Sequence, residues 1–311
     1  DLGDLYKSEL SGERRYVVPG KPKVVACGSV GTEVEVTVDL SGTPATLRYR
    51  LDDDSEFVNI KFSFENSREN YRLSAELPLP DDYRQVRAHT PFDLVERGVI
   101  LFDPTDVIEE GQVQRNCFCR DMQYLVAASS KEHSLYALSR GIYEYTYESP
   151  DQLTLTLFRA SGIINQGLVM HSAAGGQCLG PFEVEYALGI CDTIEPAELV
   201  RRGMRYNLPP RSTQVTVEPC EMQVFSHDIP GAVYSVMRYD NDGGINIRLY
   251  NPGRVTTSGA FTIGMKPESV SEVDCLGNLI RRIDISGQDG VLEIPAGKIV
   301  TLNIKFTGDV C

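Results

Sequence analysis

The feature that most constrains this fold is alternation. Leu153, Leu155 and Leu157 are separated by Thr154 and Thr156, and further on Phe182, Val184 and Tyr186 are separated by Glu183 and Glu185. A period of two places one face of an extended strand in a core and the other in water. Between the two segments, residues 160–181 are rich in Gly, Ser and Ala. A connection that long inside a compact domain is uncommon and usually has a function when it is ordered. Arg159 stands at its entrance, and His171 and Cys178 lie within it.

The same alternation recurs at residues 24–26, 33–40, 46–51, 57–64, 122–127 and 134–138, with Gly, Pro, Ser and Asp between the segments. Closely spaced alternating segments of this kind predict a large antiparallel sheet system. Residues 65–77 pass from a turn into another strand. Residues 81–116 are irregular, and their carboxylates, among them Asp103, Asp106, Glu109 and Glu110, read as surface charge on a meandering loop rather than as an acid–base pair. Asp52, Asp53 and Asp54 lack the Gly and distal Glu of a calcium loop and predict a solvated hairpin tip. Tyr143, Tyr145 and Tyr147 fall on one face of a strand, a pattern that serves either as a sugar platform or as packing.

One segment reads as a helix, residues 193–207. Pro196 suits its first turn, Glu195 and Glu198 its positive end, and Arg201, Arg202 and Arg205 its negative end. Leu208, Pro209 and Pro210 stop it. Strands resume at 214–217, 222–225, 233–239, 245–250, 270–274, 279–285, 291–294 and 298–306. The expected fold is therefore all-β: a large antiparallel β-sandwich over residues 1–207 and a smaller one over 208–311, with one short helix between them.

Charge and cysteine usage narrow the function. A net charge of −14 over 311 residues repels phosphate backbones and anionic membrane surfaces, so neither nucleic acid nor membrane is an expected partner. No apolar run is long enough to span a bilayer, and no signal-peptide pattern is present. Eight cysteines are too sparse for a disulfide framework in a chain of this size. They predict free thiols in a reducing, cytoplasmic compartment, with Cys117 and Cys119 as small buried side chains. The four histidines, His89, His133, His171 and His227, have no zinc-ligand spacing, and no nucleophile elbow or phosphate loop occurs. On its own the chain reads as a binding or scaffold protein. Its start at Asp1 without Met reads as part of something longer.

Several short motifs, taken together, resemble one family. Gly3-Asp4-Leu5-Tyr6, Gly141-Ile142-Tyr143-Glu144-Tyr145, the pair L-T-L-F-R-A-S-G (155–162) and G-G-Q-C-L-G (175–180), Ile247-Arg248-Leu249-Tyr250-Asn251 and Val273-Asp274-Cys275-Leu276-Gly277 occur in order along the chain. Together they are similar to the β region that follows the catalytic domain in the α-mannosidases of glycoside hydrolase family 38, in particular its bacterial branch. The resemblance implies that the full-length parent is a retaining glycosidase acting on α-mannosides. Zinc, an Asp nucleophile and a second carboxylate would lie in a catalytic domain of the same polypeptide and not in this stretch. No catalytic residue, metal ligand or cofactor is then expected in the chain itself. The resemblance also implies that Asp4, Tyr6 and Arg159 are substrate-binding residues that line the sugar pocket. The expected partners are an α-mannoside and the catalytic domain, and a homo-oligomer is allowed. A stand-alone carbohydrate-binding sandwich or a structural scaffold is the alternative that the tyrosine row leaves open.

Overall fold

A computed structural model describes residues 3–5, 12, 14–99, 119–166, 169–192, 195–212, 214, 223–240 and 243–306. The chain divides into two compact units, Asp1–Thr90 with Val95–Thr193, and Pro91–Leu94 with Ile194–Cys311. The all-β expectation holds. The helix, however, belongs to the second unit rather than closing the first. Its buried Ala197, Leu199, Val200, Gly203 and Tyr206 form one stripe, and Arg201 Nη1 donates to Ala232 O at 2.8 Å, which ties it to the turn before the strand Val233–Tyr239. It runs over Pro196–Asn207 with Pro in its first turn, where the missing N–H costs no intrahelical bond.

The first unit is built on a nine-stranded sheet. Its order is Lys23–Gly28, Gly31–Asp39, Pro44–Asp52, Phe57–Asn66, Gly180–Asp192, His133–Arg140, Leu125–Ser129, Gln85–Thr90 and Asp93–Glu96. Neighbours from the first strand to Gln85–Thr90 run antiparallel. A four-stranded sheet, Arg72–Pro78, Gln152–Arg159, Glu144–Ser149 and Cys119–Asp121, shares a core with it. The alternation seen in the sequence is the alternation of the core. Ile60, Phe62 and Phe64 are buried while Lys61 turns outward to Glu183 at 2.7 Å. Phe158 of the smaller sheet meets Phe64 edge-on at 5.3 Å and Phe182 at 4.7 Å, so one aromatic cluster joins both layers. Each such ring contributes about 2–3 kcal/mol by burial.

Two strands, Gln85–Thr90 and Asp93–Glu96, fall where the sequence reads as irregular. The acidic residues Asp103, Asp106, Glu109 and Glu110 lie outside the described residues. The tyrosine row is resolved as packing: Tyr145 and Tyr147 are buried in the core, and Tyr143, before the strand begins, is 66% exposed. No aromatic platform is formed. Cys27, Cys119, Cys178, Cys191 and Cys275 are free thiols, as the sequence predicts. Cys119 is half-buried rather than a buried side chain, and Cys117 lies outside the described residues.

The second unit packs a four-stranded sheet, in the order Phe225–His227, Thr257–Ile263, Asp289–Ile294 and Ile285–Ser286, on a five-stranded one. The latter runs Val233–Tyr239, Ile245–Tyr250, Ile299–Lys305, Ser269–Val273 and Leu279–Arg282. Ile247, Leu249, Phe261, Ile263, Leu292, Ile294 and Leu302 are its fully buried centre. Thr257–Ile263 escapes a pattern-based reading because Gly259 interrupts its apolar side. A Cβ at Gly259 would stand 2.7 Å from Asp228 Oδ1, so the gap in the pattern is a close approach. Asn251 knots the strand ends together: its Nδ2 donates to Val255 O and Ile294 O, and its Oδ1 accepts from Gly253 N. No described helix is long and apolar enough to cross a membrane.

Candidate functional site

The site is organised by the end of the strand Gln152–Arg159. Strict alternation from Leu153, Leu155 and Leu157 would bury Arg159. The strand instead slips register against Arg72–Pro78 between Thr156 and Phe158, so that Leu157 is the extra residue of a β-bulge. Leu157 and Phe158 then both enter the core. After the bulge the phase is reversed, and Arg159 emerges half-buried outside it.

There its guanidinium grips main chain. Arg159 Nη2 donates to Asp4 O, and Nη1 reaches Leu5 O at 3.5 Å. Two residues on, Ser161 Oγ donates to Gly3 O at 2.9 Å, and Leu5 N donates to Ile163 O at 3.0 Å. Three successive carbonyls of residues 3–5 are thus held by the 159–163 stretch. Asp4 and Arg159, singled out from the sequence, do come together, and the bond they share uses the Asp4 backbone. Tyr6, the third, lies outside the described residues and directly follows the gripped segment.

Behind this clasp stands a polar network that sequence reasoning missed. Gln177 and Asn70 face each other in a closed pair: Gln177 Oε1 accepts Asn70 N–H at 2.8 Å, and Gln177 Nε2 donates to Asn70 Oδ1 at 2.7 Å. Gly162 N donates to the same Asn70 oxygen at 3.2 Å. Asn66 Nδ2 donates to Gln177 O and Cys178 O, and Tyr71 Oη donates to Asn66 Oδ1 at 2.7 Å. Asn66, Ser161 and Gln177 are each at most 5% exposed. Buried amides in a fully bonded network fix one loop geometry, because any alternative strands a donor or acceptor away from water.

Two glycines of the motif, Gly162 and Gly176, are accounted for by close approach. A Cβ on Gly162 would fall 2.2 Å from Gln177 Nε2, and one on Gly176 would fall 2.3 Å from Ser161 O and 2.7 Å from Leu5 Cδ2. Both contacts forbid any larger residue without displacing the loop. Cys178 closes the short helical turn Ala174–Gln177 in a left-handed conformation, φ 48°, with its sulfur exposed. Its place in the motif is set by backbone shape. The long connection also contains a small hairpin, Ile163–Gln166 with Val169–Ser172, on whose exposed second strand His171 sits. Spacing signals nothing of this network. The G-G-Q triplet is its only trace in the sequence.

Electrostatics around the site leave Arg159 to this role. Glu183 and Glu185 bind Lys61 at 2.7 Å and Arg140 at 2.9 Å. On the outer face of the four-stranded sheet, Arg72, only 6% exposed, bonds Glu144 Oε1 at 2.8 Å, Cys119 Sγ at 3.2 Å and Thr156, linking all four strands. Among the described residues no three His, Cys, Asp or Glu side chains come together to hold a metal.

In sequence, no family model and no curated protein matches the chain. In structure it is similar to an α-mannosidase from Enterococcus faecalis V583, with a TM-score of 0.76 at 12% identity over 94% of this chain. It is equally similar to a protein of glycosyl hydrolase family 38 from Enterococcus faecalis, with a TM-score of 0.75 at 13% identity over 94% of this chain. The chain spans only 35% and 36% of those two proteins. At such identity the likeness is one of fold: this chain has the architecture of about a third of each.

Proposed function

We propose that the chain is the β region of a family 38 α-mannosidase-type glycoside hydrolase, and that in the whole protein residues 3–6 face the sugar. The reading is carried by one coincidence. The segment that the structure clasps most tightly from the side, residues 3–5, belongs to the G-D-L-Y element by which the sequence resembles the family. The fold likeness over nearly all of the chain supports it from a second direction.

In this reading the chemistry is divided. A retaining hydrolysis needs a nucleophilic carboxylate and a second carboxyl group that serves first as acid and then as base. Both are assigned to the remaining two thirds of the protein, together with zinc. The described residues of this chain offer no cluster of three His, Cys, Asp or Glu side chains that could hold the metal. The chain contributes binding. The Tyr6 phenol donates to or accepts from a mannose hydroxyl, and the Asp4 carboxylate accepts from another. Arg159 acts as a positioning residue, because its donors are aimed at Asp4 O and Leu5 O and hold both neighbours of the sugar in place. Free, exposed thiols at Cys27, Cys178 and Cys275 support a cytoplasmic setting.

Turnover of an aryl α-mannoside by the full-length protein tests this. Tyr6→Phe, which loses one hydrogen bond to the sugar, is expected to lower kcat/KM by roughly 10- to 100-fold. Arg159→Ala should act in the same direction, with partial rescue by Arg159→Lys. No α-mannoside hydrolysis by the wild-type protein would sink the whole reading. Wild-type turnover in both Tyr6→Phe and Arg159→Ala would sink the site assignment alone.

A further inference from the structure

The second unit contains a cavity of about 510 Å³ between the C-terminal half of the helix Pro196–Asn207 and the turn leading into Val233–Tyr239. Its polar lining is Arg201, Arg205, His227, Asp228 and Tyr234. Two of these are guanidiniums on successive turns of one helix face. Arg201 is fixed by Glu198 Oε2 at 2.9 Å and by Ala232 O at 2.8 Å, and Arg205 leans on Glu198 Oε1 at 3.3 Å. Glu198 also faces Arg202 at 3.8 Å. A single carboxylate therefore serves three cations on the helix side of the cleft, while Asp228 stands on the opposite wall.

The opposite wall is arranged differently. Asp228 Oδ1 is engaged by Ala260 N at 2.6 Å. His227 Nδ1 is buried and has no hydrogen-bond partner. Burial, and then the neighbouring Arg201, hold this imidazole below its ordinary pKa, which keeps it neutral at pH 7. A buried ring nitrogen without a partner costs stability unless something supplies the missing bond. Tyr234, 36% exposed, stands at the rim with an accessible ring.

We propose that this cleft binds a small anionic sugar, a phosphate ester or a uronate, with its charged group on Arg201 and Arg205 and its ring against Tyr234. Guanidiniums favour planar or tetrahedral oxyanions through paired N–H groups. The neutral imidazole and the Tyr234 ring suit the uncharged part of a sugar better than they suit a bare ion. The proposal concerns the second unit alone and does not rest on the hydrolytic reading.

Calorimetric titration of the 311-residue chain with mannose 6-phosphate, glucuronate, mannose and inorganic phosphate tests it. At least one anionic sugar should bind saturably, roughly tenfold or more tightly than neutral mannose. The preferred anion then identifies the ester or the carboxylate. Arg205→Ala should weaken that binding at least about fivefold, since only an exposed ion pair to Glu198 is lost from the fold itself. The His227 ring resonances should shift on saturation. Failure of both anionic sugars to bind, equal affinity in Arg205→Ala, or inorganic phosphate binding as tightly as the sugar phosphate would each overturn the proposal.

Discussion

At the scale of residues, the motifs by which this sequence resembles a family are turns and knots more than reactive groups. Asp274 Oδ1 accepts from Leu276 N and Asn278 N, and Gly277 sits at φ 90°, so V-D-C-L-G is a tight turn stabilised by its own carboxylate. The side-chain bond from Asn278 Nδ2 to Asp274 Oδ2 at 2.8 Å, followed by those backbone bonds, holds the Asp274 carboxyl below its usual pKa. Asn251 does the same work for R-L-Y-N, and Gln177 for G-G-Q-C-L-G. Arg159 differs in that its charged side chain grips the main chain of another motif, at Asp4 and Leu5. Arg159→Ala is expected to leave the sandwich core intact while residues 3–5 lose their hold. Hydrogen exchange at the Leu5 amide, which donates to Ile163 O, should accelerate by about tenfold or more in that variant. An unchanged exchange rate would show that Ser161 and Ile163 suffice.

At the scale of elements, the four-stranded sheet combines an apolar inner face with a polar chain across its outer one. Arg72 is nearly buried, so its cation depends on Glu144. Glu144→Gln removes the carboxylate that faces this nearly buried cation and is expected to destabilise the fold by about 3 kcal/mol. Glu183→Gln removes an exposed partner of Lys61 and should cost less than about 1 kcal/mol. Urea denaturation of the two variants distinguishes these, and equal losses would mean that the Arg72 network is not a unit. The bulge at Leu157 matters at the same scale. It exchanges one inward residue for two and sets the direction of everything after it, including Arg159.

At the scale of the whole molecule, the charge of −14 and the local cluster at Arg201 and Arg205 act over different distances. Long-range repulsion opposes extended polyanions, whereas a small anion meets only its near neighbours. The chain should therefore pass through immobilised heparin without retention at about 0.1 M salt; retention would reveal a basic surface that composition hides. Sequence by itself determined the all-β class, most of the strands, the helix Pro196–Asn207 and the order of the family-like motifs. These depend on periodicity and turn chemistry, which act between near neighbours in the chain. It did not determine that the helix belongs with the second unit, that Tyr145 and Tyr147 are core, or that residues 66–71 and 173–178 lock together behind Arg159. Only tertiary structure decided those points. The Asn70–Gln177 pair joins residues 107 positions apart, and the phase of a strand after a bulge depends on the partner strand across the sheet, not on its own pattern.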